Sequence, residues 1–194
     1  MPRIAVFVSG GGRSLENLAE RIAANELDVR IALVVCNNPQ ALALERAKRL
    51  GLPALLVDPE RTLSAHEFSS TAFAAAEFAG AELVVLAGFL RLLEIPDAWL
   101  GRVLNIHPAL LPDFGGKGFY GDRVHAAVLA AGARESGCTV HYVTNEYDKG
   151  PIVLQRKVPV LPGDDVHTLA ARVFEAEKEA LPDAIRAHFV ARNG

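Results

Sequence analysis

Apolar residues in this chain fall in short unbroken runs, separated by longer stretches with helical spacing. Ile4–Val8, Val29–Cys36, Leu52–Val57, Leu83–Ala87 and Val103–Ile106 each read as a strand. Between the first two, Leu15, Leu18, Ala19 and Ile22 recur at steps of three and four, with Ser14 as the expected N-cap. Residues 40–50 continue as a helix that stops at Gly51, and the Ala-rich stretch 65–79 forms another. Runs that are apolar throughout suit strands covered on both faces, as in parallel sheets. Repeated strand–helix–strand units predict right-handed crossovers and a doubly wound sheet.

The rhythm changes after residue 106. Residues 107–120 read as loop, and a helix is expected over 121–131 before Gly132. Cys138–Thr144 alternates, with Cys138, Val140 and Tyr142 on one face and Thr139, His141 and Val143 on the other. A turn at Asp148-Lys149-Gly150-Pro151 leads to Ile152–Val160, an antiparallel partner. Asp164 or Asp165 is expected to cap a last long helix ending near Phe189. The expected fold class is α/β: a mostly parallel, doubly wound sheet with an antiparallel C-terminal extension.

Composition narrows the functional classes. At 194 residues the length suits one domain, and no repeat or linker-like shift divides it. An apolar share of 51% against 22% charged residues excludes a disordered chain. The net charge of −3 argues against a nucleic-acid partner, which calls for a basic excess. Two cysteines, Cys36 and Cys138, are too few for a disulfide scaffold and suggest a reducing compartment. No uncharged apolar run reaches the roughly 18 residues of a membrane span, and Ile4–Val8 is too short for a signal core. A soluble, cytoplasmic protein with no membrane partner is expected.

Two segments carry candidate chemistry. Ser9-Gly10-Gly11-Gly12-Arg13-Ser14 joins the first strand to the first helix. Glycines there let backbone N–H groups approach an anion, and the helix N-terminus adds a favourable dipole. The segment reads equally as a phosphate cradle and as a tight turn without a ligand. The dinucleotide pattern fails because Leu15 stands where a third glycine is needed, and no Gly-Lys-Ser/Thr follows for a P-loop.

The second segment is Asn105-Ile106-His107-Pro108, at the carboxyl end of the fifth strand, where open α/β sheets place ligands. Asn105 and His107 are two apart and share a face. An amide there can hold a developing oxyanion, and an imidazole can move a proton near neutral pH. Asp148 is a candidate partner that would favour the imidazolium and raise the His107 pKa. A lone strand-end histidine is more often a hydrogen-bonded structural residue, so both readings stand. The six histidines are scattered without ligand spacing, and no metal site is expected.

Asn105-Ile106-His107-Pro108-Ala109-Leu110-Leu111-Pro112 resembles the signature of folate-dependent formyltransferases. Asp148-Lys149-Gly150-Pro151 resembles that family's second motif, and Leu86-Ala87-Gly88-Phe89-Leu90-Arg91-Leu92-Leu93 and the glycine turn also match. The resemblance covers nearly the whole chain. It implies one Rossmann-like formyltransferase domain over 1–194, with a phosphate-binding half over 1–100 and a folate and catalytic half over 101–194. The short length points to the member that formylates the amine of 5′-phosphoribosylglycinamide in purine synthesis, with 10-formyltetrahydrofolate as co-substrate. These small molecules are the implied partners, with room for a homodimer.

The same resemblance assigns residues. Asn105 and His107 would hold and protonate the tetrahedral intermediate, and Asp148 would position His107 and help take the amine proton. Gly12, Arg13 and Ser14 would meet the ribose phosphate. Leu90, Arg91, Leu92 and Leu93, with Asn105 and Thr144, Asn145, Glu146, Tyr147 and Asp148, would line the folate pocket. Glu177 would contact the glycinamide end; by its residue type alone it reads as a solvated helix charge.

The chain departs from the family pattern in places. Ser14 stands where many members have Asn, and Ala109 where Ser is common. Phe114–Gly121 is longer and richer in glycine, and reads either as a mobile substrate loop with Lys117 as an extra anion contact or as an ordinary surface loop. The family's folate-site arginine has no match near Ala65, with Arg61 the nearest alternative. Two other functions fit parts of the pattern: a hydrolase that deformylates the same folate, and a non-catalytic phospho-ligand module.

Overall fold

A computed structural model describes residues 1–61 and 64–193, apart from the side chains of Arg61 and Asn193. The chain forms two compact units, Met1–Leu104 and Asn105–Gly194.

The first unit runs β1 (Arg3–Val8), α1 (Arg13–Ala23), β2 (Arg30–Cys36), α2 (Leu42–Arg49), β3 (Ala54–Leu56), α3 (Ala65–Phe78) and β4 (Leu83–Leu86). Its strands pair in parallel in the order β3-β2-β1-β4. β1 is buried from Ile4 onward and β4 is buried throughout, as apolar strands covered on both faces should be. β3 departs from that expectation. All three of its residues are exposed, because it pairs with β2 alone. Phe7 anchors the core, its ring 5.8 Å from those of Phe73 and Phe89, and Phe73 lies 5.5 Å from Trp99. Each such buried ring contributes about 1.5–3 kcal/mol.

α1 begins differently from the expectation. The N-cap is Gly12, in the left-handed region at φ 75°, and Ser14 lies inside the first turn. Only a residue without Cβ adopts that angle at no steric cost, so the glycine sets the start of the helix. Glu16, in the first turn of α1, pairs with Arg46 and Arg49 of α2.

β5 (Val103–His107) crosses the boundary between the units. The second unit continues with α4 (Asp122–Ala130), β6 (Glu135–Tyr142), β7 (Ile152–Pro159) and α5 (Val166–Asn193). β6 and β7 pair antiparallel, as expected. β6 starts earlier than read from the sequence and ends before Thr144. It is also buried on both faces rather than alternating, because Thr139 and His141 are enclosed along with Cys138 and Val140. Between Val140 and His141 the ladder shifts register, and β7 carries one extra residue, Val153. Such a bulge changes the direction of the neighbouring side chains.

α5 packs on β6, β7 and α4 through Leu169, Val173, Ala180, Leu181, Ala184 and Ile185. Asp165 caps it by accepting the Thr168 N–H at 2.8 Å. Asp164 serves elsewhere, receiving both arms of the Arg172 guanidinium at 2.6 and 2.9 Å. Pro182 removes one internal hydrogen bond without ending the helix, which continues past Phe189 to Asn193. No helix among the described residues is long and apolar enough to cross a membrane.

Candidate active site

The end of β5 carries Asn105, half-buried, and His107, which exposes 5% of its side chain. The loop after β6 brings Asp148 to them. His107 Nδ1 stands 3.7 Å from Asp148 Oδ2, and His107 Nε2 donates to the Phe114 carbonyl at 2.8 Å. The two residues that the sequence left far apart thus form an ion-pair-range couple within the second unit.

A third side chain joins the group. His141 donates from Nδ1 to the Tyr142 carbonyl at 2.9 Å, which turns its Nε2 toward the other members. That nitrogen lies 3.2 Å from the Asn105 amide nitrogen and 3.4 Å from Asp148 Oδ1. Gly116 N–H donates to Asp148 Oδ2 at 2.8 Å. The carboxylate is therefore aimed by a buried ring on one oxygen and by a backbone amide on the other.

Two backbone conformations at this site are uncommon. Asp148 has φ 52° and Phe114 has φ 55°. Asp enters the left-handed region with modest strain, but a bulky aromatic residue does so only where its surroundings hold it. Both angles direct groups onto His107: a carboxylate from one residue and a carbonyl from the other.

Burial dominates the electrostatics of His107. It holds the imidazole below its ordinary pKa, and the upward pull of Asp148 and of the Phe114 carbonyl does not overcome it, while His141 adds to the lowering. This corrects the expectation that Asp148 would leave the ring with a raised pKa. Burial also pushes the Asp148 carboxyl upward. There the His141 hydrogen bond, the Gly116 N–H and the nearby imidazoles prevail and hold it below the usual carboxylate range.

The glycine turn lies in the first unit. Asn38 donates its amide to the Ser9 carbonyl at 3.3 Å, Ala43 N–H reaches Gly10 at 3.1 Å, and Leu90 N–H reaches the Ser9 hydroxyl at 2.9 Å. Gly10 and Gly11 are exposed, Gly12 is buried, Arg13 is exposed and Ser14 is half-buried. The turn is thus pinned from three sides with its outer face open beside the first turn of α1. That is the arrangement in which backbone amides can receive an anion.

A family model described as Formyl transferase matches residues 2–185. The chain belongs to the formyl transferase family.

Relatives of this formyl transferase agree with one another. It is 42% identical over 186 residues to the trifunctional purine biosynthetic protein adenosine-3 of Gallus gallus, covering 95% of this chain and 18% of that one. The chain therefore spans less than a fifth of that relative's length. It is 32% identical to the phosphoribosylglycinamide formyltransferase of Bacillus subtilis (strain 168), covering 96% of this chain and 94% of the relative. The crystal structure of glycinamide ribonucleotide transformylase 1 from Symbiobacterium toebii superposes with a TM-score of 0.90 at 39% identity, over 96% of this chain and 86% of that one. The α/β fold, mostly parallel with antiparallel C-terminal strands, is that of the family.

The remaining residues singled out in this formyl transferase fall in both units. In the first, Leu90 and Leu92 are exposed and Leu93 is buried. Arg91 lies over the Phe68 ring at 4.6 Å. In the second, Thr144 and Glu146 close a local turn through the threonine hydroxyl, and Asn145, Glu146 and Tyr147 are exposed. Glu177 is half-buried on α5, close enough to Cys138 to help burial push that thiol up to about 12. The stretch that reads as mobile or ordinary loop is anchored at its start, where Phe114 and Gly116 bond His107 and Asp148; Lys117 is exposed. The Arg61 side chain lies outside the described residues. No metal-binding group of three or more His, Cys, Asp or Glu occurs among the described residues.

Sequence reasoning passed over His141, Phe114 and Gly116. His141 had one visible signal: Thr139-Val140-His141 places two polar residues on one face of an otherwise apolar strand. The other two act through backbone atoms, which residue type does not reveal.

Proposed function

We propose that this chain transfers the formyl group of 10-formyltetrahydrofolate to the amine of 5′-phosphoribosylglycinamide, a step of purine synthesis. The convergence of Asn105, His107 and Asp148 on one buried cluster is the observation that carries this reading. The amine nitrogen attacks the formyl carbon, and the carbonyl oxygen gains charge as the tetrahedral intermediate forms. The Asn105 amide stabilises that oxygen, an interaction of a kind worth roughly 10²–10³-fold. The bond from carbon to the folate nitrogen then breaks, with one proton leaving the amine and one arriving on the departing nitrogen. His107 handles the arriving proton. Asp148, held ionised by His141 and Gly116, positions the ring and takes the amine proton.

The other assignments follow the same reading. Gly12, Arg13 and Ser14 hold the ribose phosphate and Glu177 meets the glycinamide end. Leu90 to Leu93 and Thr144 to Asp148 contact the folate, and Lys117 supplies a further anion contact. The whole chain serves as one formyltransferase domain acting on small molecules in the cytoplasm, singly or as a homodimer, without a metal, nucleic acid or membrane partner.

The test measures tetrahydrofolate formed from 10-formyltetrahydrofolate with and without the ribonucleotide. Formation that requires the ribonucleotide supports the transferase. Release without it indicates a hydrolase, and no release under either condition indicates a ligand-binding module.

A further inference from the structure

The loop after β5 forms no strand among the described residues, yet Leu111 within it is buried at 6% exposure. Its backbone groups find their partners on β6 and β7. Leu111 N–H donates to the Thr139 hydroxyl oxygen at 3.0 Å, and the Leu111 carbonyl accepts from Gln155 Nε2 at 2.9 Å. The Thr139 hydroxyl donates to the Ala109 carbonyl at 2.7 Å and accepts from Gln155 Nε2 at 2.8 Å. Thr139 thereby uses its one donor and both acceptor sites, and the Gln155 amide uses both its hydrogens. The two residues face each other directly across the β6–β7 ladder.

Three residues beyond Leu111, the chain presents the Phe114 carbonyl, from a left-handed backbone, to His107 Nε2. An imidazole that gives its Nε2 proton to a fixed carbonyl keeps Nδ1 toward Asp148. We propose that Thr139 and Gln155 are positioning residues for the reaction. They staple the 109–111 backbone so that the Phe114 carbonyl selects the His107 tautomer whose Nδ1 faces Asp148. This inference rests on the formyl-transfer reading for its kinetic consequence, but its structural content does not depend on that reading. β6 then supports both partners of His107: Thr139 steadies the carbonyl side, and His141, two residues on, steadies the carboxylate side.

The test compares Thr139→Val, Thr139→Ser and Gln155→Met with the unaltered chain by histidine ¹⁵N NMR and by steady-state kinetics. The unaltered chain is expected to show His107 as a single tautomer protonated at Nε2. Thr139→Val and Gln155→Met are expected to give a mixture of tautomers. Their kcat should fall roughly tenfold, with KM for either substrate changed less than threefold. Thr139→Ser keeps the hydroxyl and should restore both readouts. Gln155 is exposed on β7, so its variant tests the idea even if Thr139→Val does not fold. Folded Gln155→Met with an unchanged tautomer and unchanged kcat would overturn the proposal. An unaltered chain with the fixed tautomer but no formyl transfer would defeat the functional reading alone, and the NMR comparison would still decide the staple.

Discussion

His107 and Asp148 face each other at 3.7 Å, ring Nδ1 to carboxylate Oδ2, with 5% and 12% of their side chains exposed. The separation is too long for a hydrogen bond but short enough for strong electrostatic coupling in a partly dry site. The ring is held from its far side by the Phe114 carbonyl, and the carboxylate by His141 at Oδ1 and by Gly116 at the Oδ2 that faces the ring. Neither His107→Ala nor Asp148→Asn removes a large apolar contact, so the fold should survive both. Each is expected to lower turnover by about 10²-fold or more, the scale of a lost general acid–base group. Circular dichroism with single-turnover kinetics checks this, and near-normal turnover in either folded variant would remove the assigned roles.

The pH dependence follows from the direction of the His107 shift. Its pKa in the folded chain lies below the ordinary 6.5, so the neutral ring persists to lower pH than a free histidine would allow. His107 gives its proton to the leaving nitrogen, so it acts in its protonated form: the limb of kcat/KM that it sets falls as pH rises and lies below that value. Asp148 pulls the ring upward, so Asp148→Asn should move the limb further down. Stability has the matching sign. The unfolded chain takes up this proton near 6.5 and the folded chain resists it, so stability present above that pH is lost as pH falls through it. Asp148 adds a second loss only at lower pH, below its ordinary 3.8 and through its depressed native value. Urea unfolding at about pH 7.5 and about pH 5.5 reads the first effect. An equal midpoint at both, or a midpoint difference fully retained in His107→Gln, would contradict it.

The strands of the first unit were legible because burial on both faces leaves an unbroken apolar run, as in Ile4–Val8 and Leu83–Leu86. β3 was legible as a strand but not in its burial: its Leu55 and Leu56 are apolar yet exposed. Asn105, His107 and Asp148 were readable as chemistry through their motifs. His141 was not, because the register shift beside it places its ring by a backbone feature that alternation does not encode. The pKa direction of His107 was misread for a related reason. A charge partner can be guessed from sequence, but the depth of burial that outweighs it cannot.

Gly12 supplies a test of the proposed anion site that is separate from the acid–base groups. Its φ of 75° is strained for any other residue, and a Cβ there would come within 2.8 Å of the Ala43 Cβ and 2.9 Å of its Cα. Ala43 is held close by its own N–H bond to Gly10, so the start of α2 cannot simply move away. Gly12→Ala is expected to cost about 1–3 kcal/mol of stability. It should also raise the KM for the ribonucleotide about tenfold, with little change in the KM for the folate. A thermal melt and the two KM values check this. Equal effects on both substrates would place the turn outside phosphate recognition.

Gly150 connects the hairpin's packing to the site. A Cβ at this position would lie 1.7 Å from the Tyr142 carbonyl oxygen, so the two backbones approach as only glycine permits. Tyr142 N–H donates to the Pro151 carbonyl at 2.9 Å and binds the same stretch of chain from the other side. The crowded Tyr142 carbonyl is also the acceptor that orients His141, and through it Asp148. Gly150→Ala must therefore push apart the hairpin or turn that carbonyl. It is expected to cost about 3 kcal/mol or more in stability, the range of severe backbone conflicts. Any folded fraction should show reduced turnover. Lys149→Ala, at an exposed position beside it, should change stability by less than about 0.5 kcal/mol and separates this steric effect from a general loss of the turn. Differential scanning calorimetry on both variants decides the point. A Gly150→Ala chain that melts and turns over like the unaltered protein would show that the hairpin relaxes freely and that the Tyr142 carbonyl does not set the direction of His141.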